Sequence, residues 1–126
     1  KRKVVELLDS GAVRQVHGDK FKAAHGPTNY ARWKGETKEY AVTYESEYEP
    51  YILCRTDVPP FDERFVGYGG DKTSHAYELS RAGFVFVVLP DAFAVHAAHT
   101  KAAWASAQNW TRTWMDWTTF VDDANA

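Results

Sequence analysis

The chain has 126 residues, 44% of them apolar, enough for one domain with a single core and too few for a second complete one. Its net charge of −2 at pH 7, with basic residues scattered along the sequence, gives no electrostatic footprint for nucleic acid. No apolar run approaches the roughly 20 residues that span a bilayer, and the single cysteine, Cys54, has no internal disulfide partner.

Lys1-Arg2-Lys3 lead directly into Val4, Val5, Leu7 and Leu8, a helical stripe over residues 3–9 stopped by Gly11. This predicts a short packing helix rather than a signal peptide. A start without methionine suggests a fragment or processed piece, with any membrane anchor outside it. Residues 12–39 carry Gly18, Gly26, Pro27 and Gly35 and show little periodicity beyond a strand-like Val13 to Val16. They read as one long ordered loop, with Tyr30 and Trp33 favouring order. On residue chemistry alone, His25 to Asn29 is equally a proline turn with Asn29 as a cap.

Tyr40, Val42 and Tyr44 alternate with other residues and predict a half-buried strand, while Tyr51 to Cys54 predicts a more fully buried one holding a structural thiol. The acidic connection through Glu45, Glu47 and Glu49 reads as a solvated edge. Residues 84–89 are continuously apolar, the pattern of a strand covered on both faces by helices, and Pro90 ends it. A short strand over residues 92–95 then leads to His96. After Thr100, Trp110, Trp114, Trp117 and Val121 recur at i, i+4, i+7 and i+11, with Trp104 before them. This predicts a helix with an aromatic face, serving as core, interface or sugar-stacking surface.

The stretch over residues 61–72 concentrates the polar chemistry. Val58-Pro59-Pro60 forces an extended approach, Gly67, Gly69 and Gly70 allow a tight turn, and Asp71 stands where a helix through Ser74 to Leu79 should begin, ending at Gly83. Helix capping accounts for Asp71, and capping geometry would also fix its carboxylate for other work. Asp62 and Glu63 are further acids in the turn, Asp62 as a turn cap and Glu63 as a partner for Arg64.

Tyr48-Glu49-Pro50-Tyr51, the run Asp62 to Lys72, and Phe86 to Phe93 followed by His96 and His99 resemble, in order and spacing, the LARGE-type glycosyltransferases. These are grouped with β-1,4-glucuronyltransferase-like enzymes as glycosyltransferase family 49. The similarity extends back through His25 to Trp33 and to Glu6 to Gly11, covering residues 1–100 and fading in the Trp-rich segment 101–126. The turn is more distantly similar to the Trp-Gly-Trp-Gly-Gly-Glu-Asp turn of β-1,4-galactosyltransferases, in which an acidic residue faces the acceptor sugar.

The resemblance implies an α/β fold, the C-terminal, acceptor-side half of a GT-A-type domain with a mixed central sheet. It implies transfer of glucuronyl or a related sugar from a UDP-sugar to a glycan acceptor, with inversion, manganese dependence and a Golgi location. Asp71, or alternatively Asp62 or Glu63, takes the place of the catalytic base; Tyr68, Gly69, Gly70, His25 and Asn29 fall on the acceptor side; His96, with His99 near it, falls at the metal. Two departures stand out. LARGE-type sequences carry Asn where Asp71 stands, and the Asp-x-Asp pair that His96 would join occurs nowhere in the 126 residues. A missing N-terminal half or a partner chain would have to supply it. The alternative function is an inactive homologue that serves as a structural subunit or a carbohydrate-binding module.

Overall fold

A computed structural model describes residues 1–16, 21–97, 99–100 and 107–126. Within it the chain divides into two units, Lys1–Tyr51 with Val85–His96, and Ile52–Phe84 with Ala97–Ala126. The described elements are four α-helices, one 3-10 helix and a two-stranded sheet.

In the first unit, α1 (Arg2–Asp9) forms where the apolar stripe predicts it, and Gly11 takes φ +74° just beyond its end. The Val13 amide donates to the Leu7 carbonyl at 3.2 Å, closing the helix C-terminus. That local bond takes the place of the strand expected at residues 13–16. The expected long loop instead holds a 3-10 helix (Lys22–Thr28) and α2 (Tyr30–Gly35). Asn29 makes the second helix possible: at φ 53° its Oδ1 accepts from the Arg32 amide at 3.1 Å. A left-handed Asn with a capping carboxamide is the arrangement its short polar side chain tolerates.

β1 (Tyr40–Val42) and β2 (Phe86–Val88) pair antiparallel, Tyr40 opposite Val88 and Val42 opposite Phe86. The sheet described is this pair rather than a mixed central sheet. One face is covered by aromatics: Tyr48 is buried, its ring 5.7 Å from Phe86, and Tyr44 lies 6.2 Å from the same ring. The phenol of Tyr48 shares a 2.9 Å hydrogen bond with the Thr28 hydroxyl, and the Tyr40 hydroxyl donates to the Thr28 carbonyl at 2.7 Å. Burial raises the phenol pKa of Tyr30, Tyr40 and Tyr48, so these hydroxyls stay neutral hydrogen-bonding groups. The other face is open, with Val85, Val87 and Leu89 exposed, so the strand is not buried on both faces and is shorter than its apolar run.

Two further expected strands are absent. Residues 51–54 are irregular, with Leu53 90% exposed and Cys54 an exposed free thiol instead of a buried one. Residues 92–95 are likewise irregular, and Val95 is exposed. Neither run meets a neighbouring strand among the described residues, and an apolar run without a ladder partner has nowhere to place its backbone hydrogen bonds.

In the second unit, α3 (Asp71–Arg81) packs against α4 (Trp110–Asn125). Ala76 and Leu79 are buried on α3, and from α4 comes Phe120, 4% exposed, with Trp117 beside it. Tyr77 meets Trp117 and Phe120 at 6.0 and 5.9 Å, edge to face. The aromatic helix is therefore present, but its covered face is centred on Trp117 and Phe120, while Trp110 and Trp114 are 59% and 70% exposed. Trp104 lies outside the described residues. No helix among those described is long and apolar enough to cross a membrane.

Candidate functional site at the glycine turn

The turn over residues 61–71 is held at three points. His75, buried on α3, stacks on Phe61 at 4.1 Å, and its Nε2 donates to the Pro59 carbonyl at 2.8 Å, which fixes the two-proline approach. Asp62 Oδ1 accepts from both the amide and Nε of Arg64 at 2.9 Å, and Arg64 Nη1 reaches Asp123 on α4 at 2.9 Å. Asp62 is thus committed to turn structure, and Arg64 pairs with it and Asp123 rather than with Glu63. Glu63 is exposed.

The third point is the fit of the glycines to the segment that precedes and begins α4. The Tyr68 amide donates to Gln108 Oε1 at 3.2 Å, and Gln108 Nε2 donates to the Thr113 hydroxyl at 2.8 Å, so one amide side chain joins turn to helix. A Cβ on Gly69 would stand 3.1 Å from the Trp110 ring. At Gly70, φ is +89° and a Cβ would stand 2.5 Å from the Phe65 ring, itself packed 5.6 Å from Phe120. Gly70→Ala is therefore expected to cost about 2–3 kcal/mol, from left-handed strain together with overpacking. Urea unfolding monitored at the tryptophans measures it, and an unchanged midpoint would refute this account of the turn.

Asp71 is the first residue of α3, one position inside the expected cap. Gly70 is the cap residue and offers no side chain, and Asp71 makes no capping hydrogen bond. Its carboxylate is exposed and forms no hydrogen bond or ion pair among the described residues. A negative charge in the first turn of a helix is favoured by the amide dipoles. Among the described residues the turn therefore presents two carboxylates without a partner, Glu63 and Asp71, and of these Asp71 stands on the first turn of a helix, with the Tyr68 ring nearby in sequence and half exposed.

The other candidate residues divide between the units. His25 is buried in the first unit, its ring 6.4 Å from Tyr30, and Asn29 is engaged in capping α2. His96 is exposed at the end of the first unit's second segment, whereas His99 belongs to the second, where its Nδ1 donates to the Thr100 carbonyl at 2.9 Å. Among the described residues no three His, Cys, Asp or Glu side chains gather in a way that could hold a metal ion. The described residues alone do not make up a complete manganese site. The Arg64 link between Asp62 and Asp123, and the Gln108 bridge, escape sequence reading because each joins positions at least 40 residues apart with no motif to connect them.

The model of the family described as "Glycosyl-transferase for dystroglycan" matches residues 1–122. The chain belongs to this glycosyltransferase family. Among curated members, glycosyltransferase-like protein gnt15 of Dictyostelium discoideum is 36% identical over 117 residues, covering 92% of this chain and 23% of that protein. Xylosyl- and glucuronyltransferase LARGE2s of Danio rerio is 39% identical and LARGE1 of Homo sapiens 37% identical, each over 102 residues, 81% of this chain and 14% of the relative. The LARGE-type resemblance of the turn is therefore that of a true family member, and the match extends through most of α4. The chain spans less than a quarter of the length of these relatives.

Proposed function

We propose that this chain forms the acceptor side of a LARGE-like glycosyltransferase of GT-A type, which moves glucuronyl or a related sugar from a UDP-sugar to a glycan acceptor with inversion, in the Golgi lumen. Membership of the family carries the reading, and relatives named xylosyl- and glucuronyltransferase support the sugar class. Asp71 is the proposed base because, of the two acids in the turn that are exposed and without a partner among the described residues, it is the one fixed at the start of a helix. In an inverting displacement, the acceptor hydroxyl oxygen bonds to the anomeric carbon as the bond to UDP breaks, and the hydroxyl proton passes to the carboxylate. His96 is the proposed contribution of this chain to a manganese site whose other ligands lie outside these residues.

The lack of a metal-ligating cluster among the described residues favours a second reading, an inactive homologue acting as a structural subunit. Full-length protein containing this chain, given UDP-glucuronate or UDP-xylose, manganese and a methyl β-xyloside or methyl β-glucuronide acceptor, decides between them. Transfer with inverted anomeric configuration, read by proton NMR, is expected. A folded protein that transfers neither sugar would establish the structural reading.

A further inference from the structure

Trp110 is the first residue of α4, yet 59% of it is exposed, and it does not share the covered face occupied by Trp117 and Phe120. One edge of its indole abuts Gly69, where a Cβ would stand 3.1 Å from it, tighter than ordinary contact. Tyr68, 46% exposed, stands 6.1 Å away with its ring at 87°, so the two aromatics form a corner at the glycine turn. The corner is held by the Gln108 bridge to the Tyr68 amide and Thr113. Beside it is a depression of about 130 Å³, whose lining includes Gly69, Gln108, Asn109 and Arg112.

We infer that Trp110, with Tyr68 as a second wall, forms a stacking subsite for a pyranose ring of the acceptor glycan. The inference rests on reading this turn as acceptor-facing. A pyranose presents an apolar C–H face and a rim of hydroxyls. The site offers the matching elements, an aromatic wall with amide and guanidinium groups next to it, as small-molecule sites do. Gln108, Asn109 and Arg112 set polar groups beside the corner, which suits a ring with a hydroxyl rim, while the exposed Trp114 lies one turn along α4. Rigid aromatic walls of this kind lose little freedom when a ligand stacks on them.

Saturation-transfer NMR on the full-length protein with methyl β-xyloside and methyl β-glucuronide tests the assignment. Transfer to ring C–H protons is expected in the wild type. Apparent affinity should fall roughly tenfold in Trp110→Ala, about the worth of one aromatic stack. It should be retained in Trp110→Phe and in Trp114→Ala, which removes an exposed indole one turn away. Should Trp110→Ala fail to fold by thermal melt, Tyr68→Ala, which removes the other wall from the turn surface, is expected to lose affinity to a similar degree. The assignment is overturned if neither glycoside binds, if Trp110→Ala and Tyr68→Ala bind as well as the wild type, or if Trp114→Ala loses as much as Trp110→Ala. It is also overturned if Trp110→Ala changes only the sedimentation of the protein, which would make the corner a protein interface. Binding through Trp110 without any sugar transfer leaves the subsite standing and removes the transferase reading. Transfer with an unaltered acceptor KM in Trp110→Ala does the reverse.

Discussion

If the proposed transferase reading holds, Asp71→Asn in the full-length protein is expected to lower kcat by roughly 10²- to 10⁴-fold, the contribution of a positioned general base, with donor and acceptor affinities nearly intact. The asparagine keeps the volume of the side chain at the first position of α3 and removes only its charge and proton affinity. Loss of the charge at the helix start costs about 0.3–1 kcal/mol, too little to unfold the unit and obscure the kinetics. A proton acceptor is used in the chemical step, so turnover should fall without a matching rise in KM. The comparison with the other two acids is built into the turn. Asp62→Asn should weaken the hold on Arg64 and lower stability first, because Asp62 accepts two hydrogen bonds from that residue. Glu63→Gln should change little. If Asp71→Asn keeps full activity and Glu63→Gln abolishes it, the base is Glu63, and the Asn found here in LARGE-type sequences ceases to be a departure of consequence.

Phe120→Ala is expected to destabilise the second unit by about 3–5 kcal/mol, the usual cost of emptying a buried aromatic site. Phe120 is 4% exposed and touches Phe65, Tyr77 and Trp117, while the Arg64 guanidinium lies 5.7 Å from its ring. Its removal takes away the common neighbour of the glycine turn, α3 and α4, so collapse of the cavity would have to shift all three. Trp114→Ala, on the open side of the same helix, should fall within about 0.5 kcal/mol of the wild type. Denaturant unfolding of the two variants measures both values. Equal losses would mean that Trp114 is covered and that the helix face is assigned wrongly.

Helix positions were largely legible in the sequence, and strands largely were not. α1 and α3 each end at a glycine, Gly11 and Gly83, and α4 carries its Trp spacing, so residues within a few positions of one another specify them. For α4 the spacing predicts the helix but not its rotation, because Trp117 belongs to two overlapping stripes. The largest side chains are not the decisive ones: Trp110 and Trp114 are left in solvent while Phe120 goes inside. Strand formation at residues 51–54, 84–89 and 92–95 depends on partners supplied from elsewhere, and an apolar run does not say whether one exists. Only residues 86–88 of these runs find a partner, through Tyr40 to Val42. The 22–35 region shows the opposite error. Asn29 as a cap is a local signal, but in a stretch rich in glycine and proline it reads as turn chemistry rather than as the start of a helix.

In the candidate site, what sequence reading reaches is the chemistry, and what it misses is the division of labour. Three acids and three glycines can be read from residues 62–71 directly. That Arg64 is held between Asp62 and Asp123, and so is not left for Glu63, involves a residue 59 positions after Arg64 with nothing in its surroundings to mark it. The resemblance implies an acceptor-facing turn, but the motifs that carry it stop near residue 100, short of Trp110, the side chain against which Gly69 fits, although the family match itself runs to residue 122.

The open flanks of the β1 and β2 pair have a consequence for what else can attach to the first unit. Each strand is laddered only to the other among the described residues, so each has a second row of backbone donors and acceptors directed away from its partner. β2 carries no lysine, proline or bulge to blunt that row, and its flanks are apolar, which is the composition of an edge that recruits another strand. A third strand arriving there inherits a strict register. Val87 faces the open side and its neighbours Phe86 and Val88 the aromatic side, so a slip of one residue would exchange every side chain between the two faces. The edge therefore selects for a strand whose apolar residues recur at every second position, whether it comes from the remainder of the polypeptide or from a second molecule.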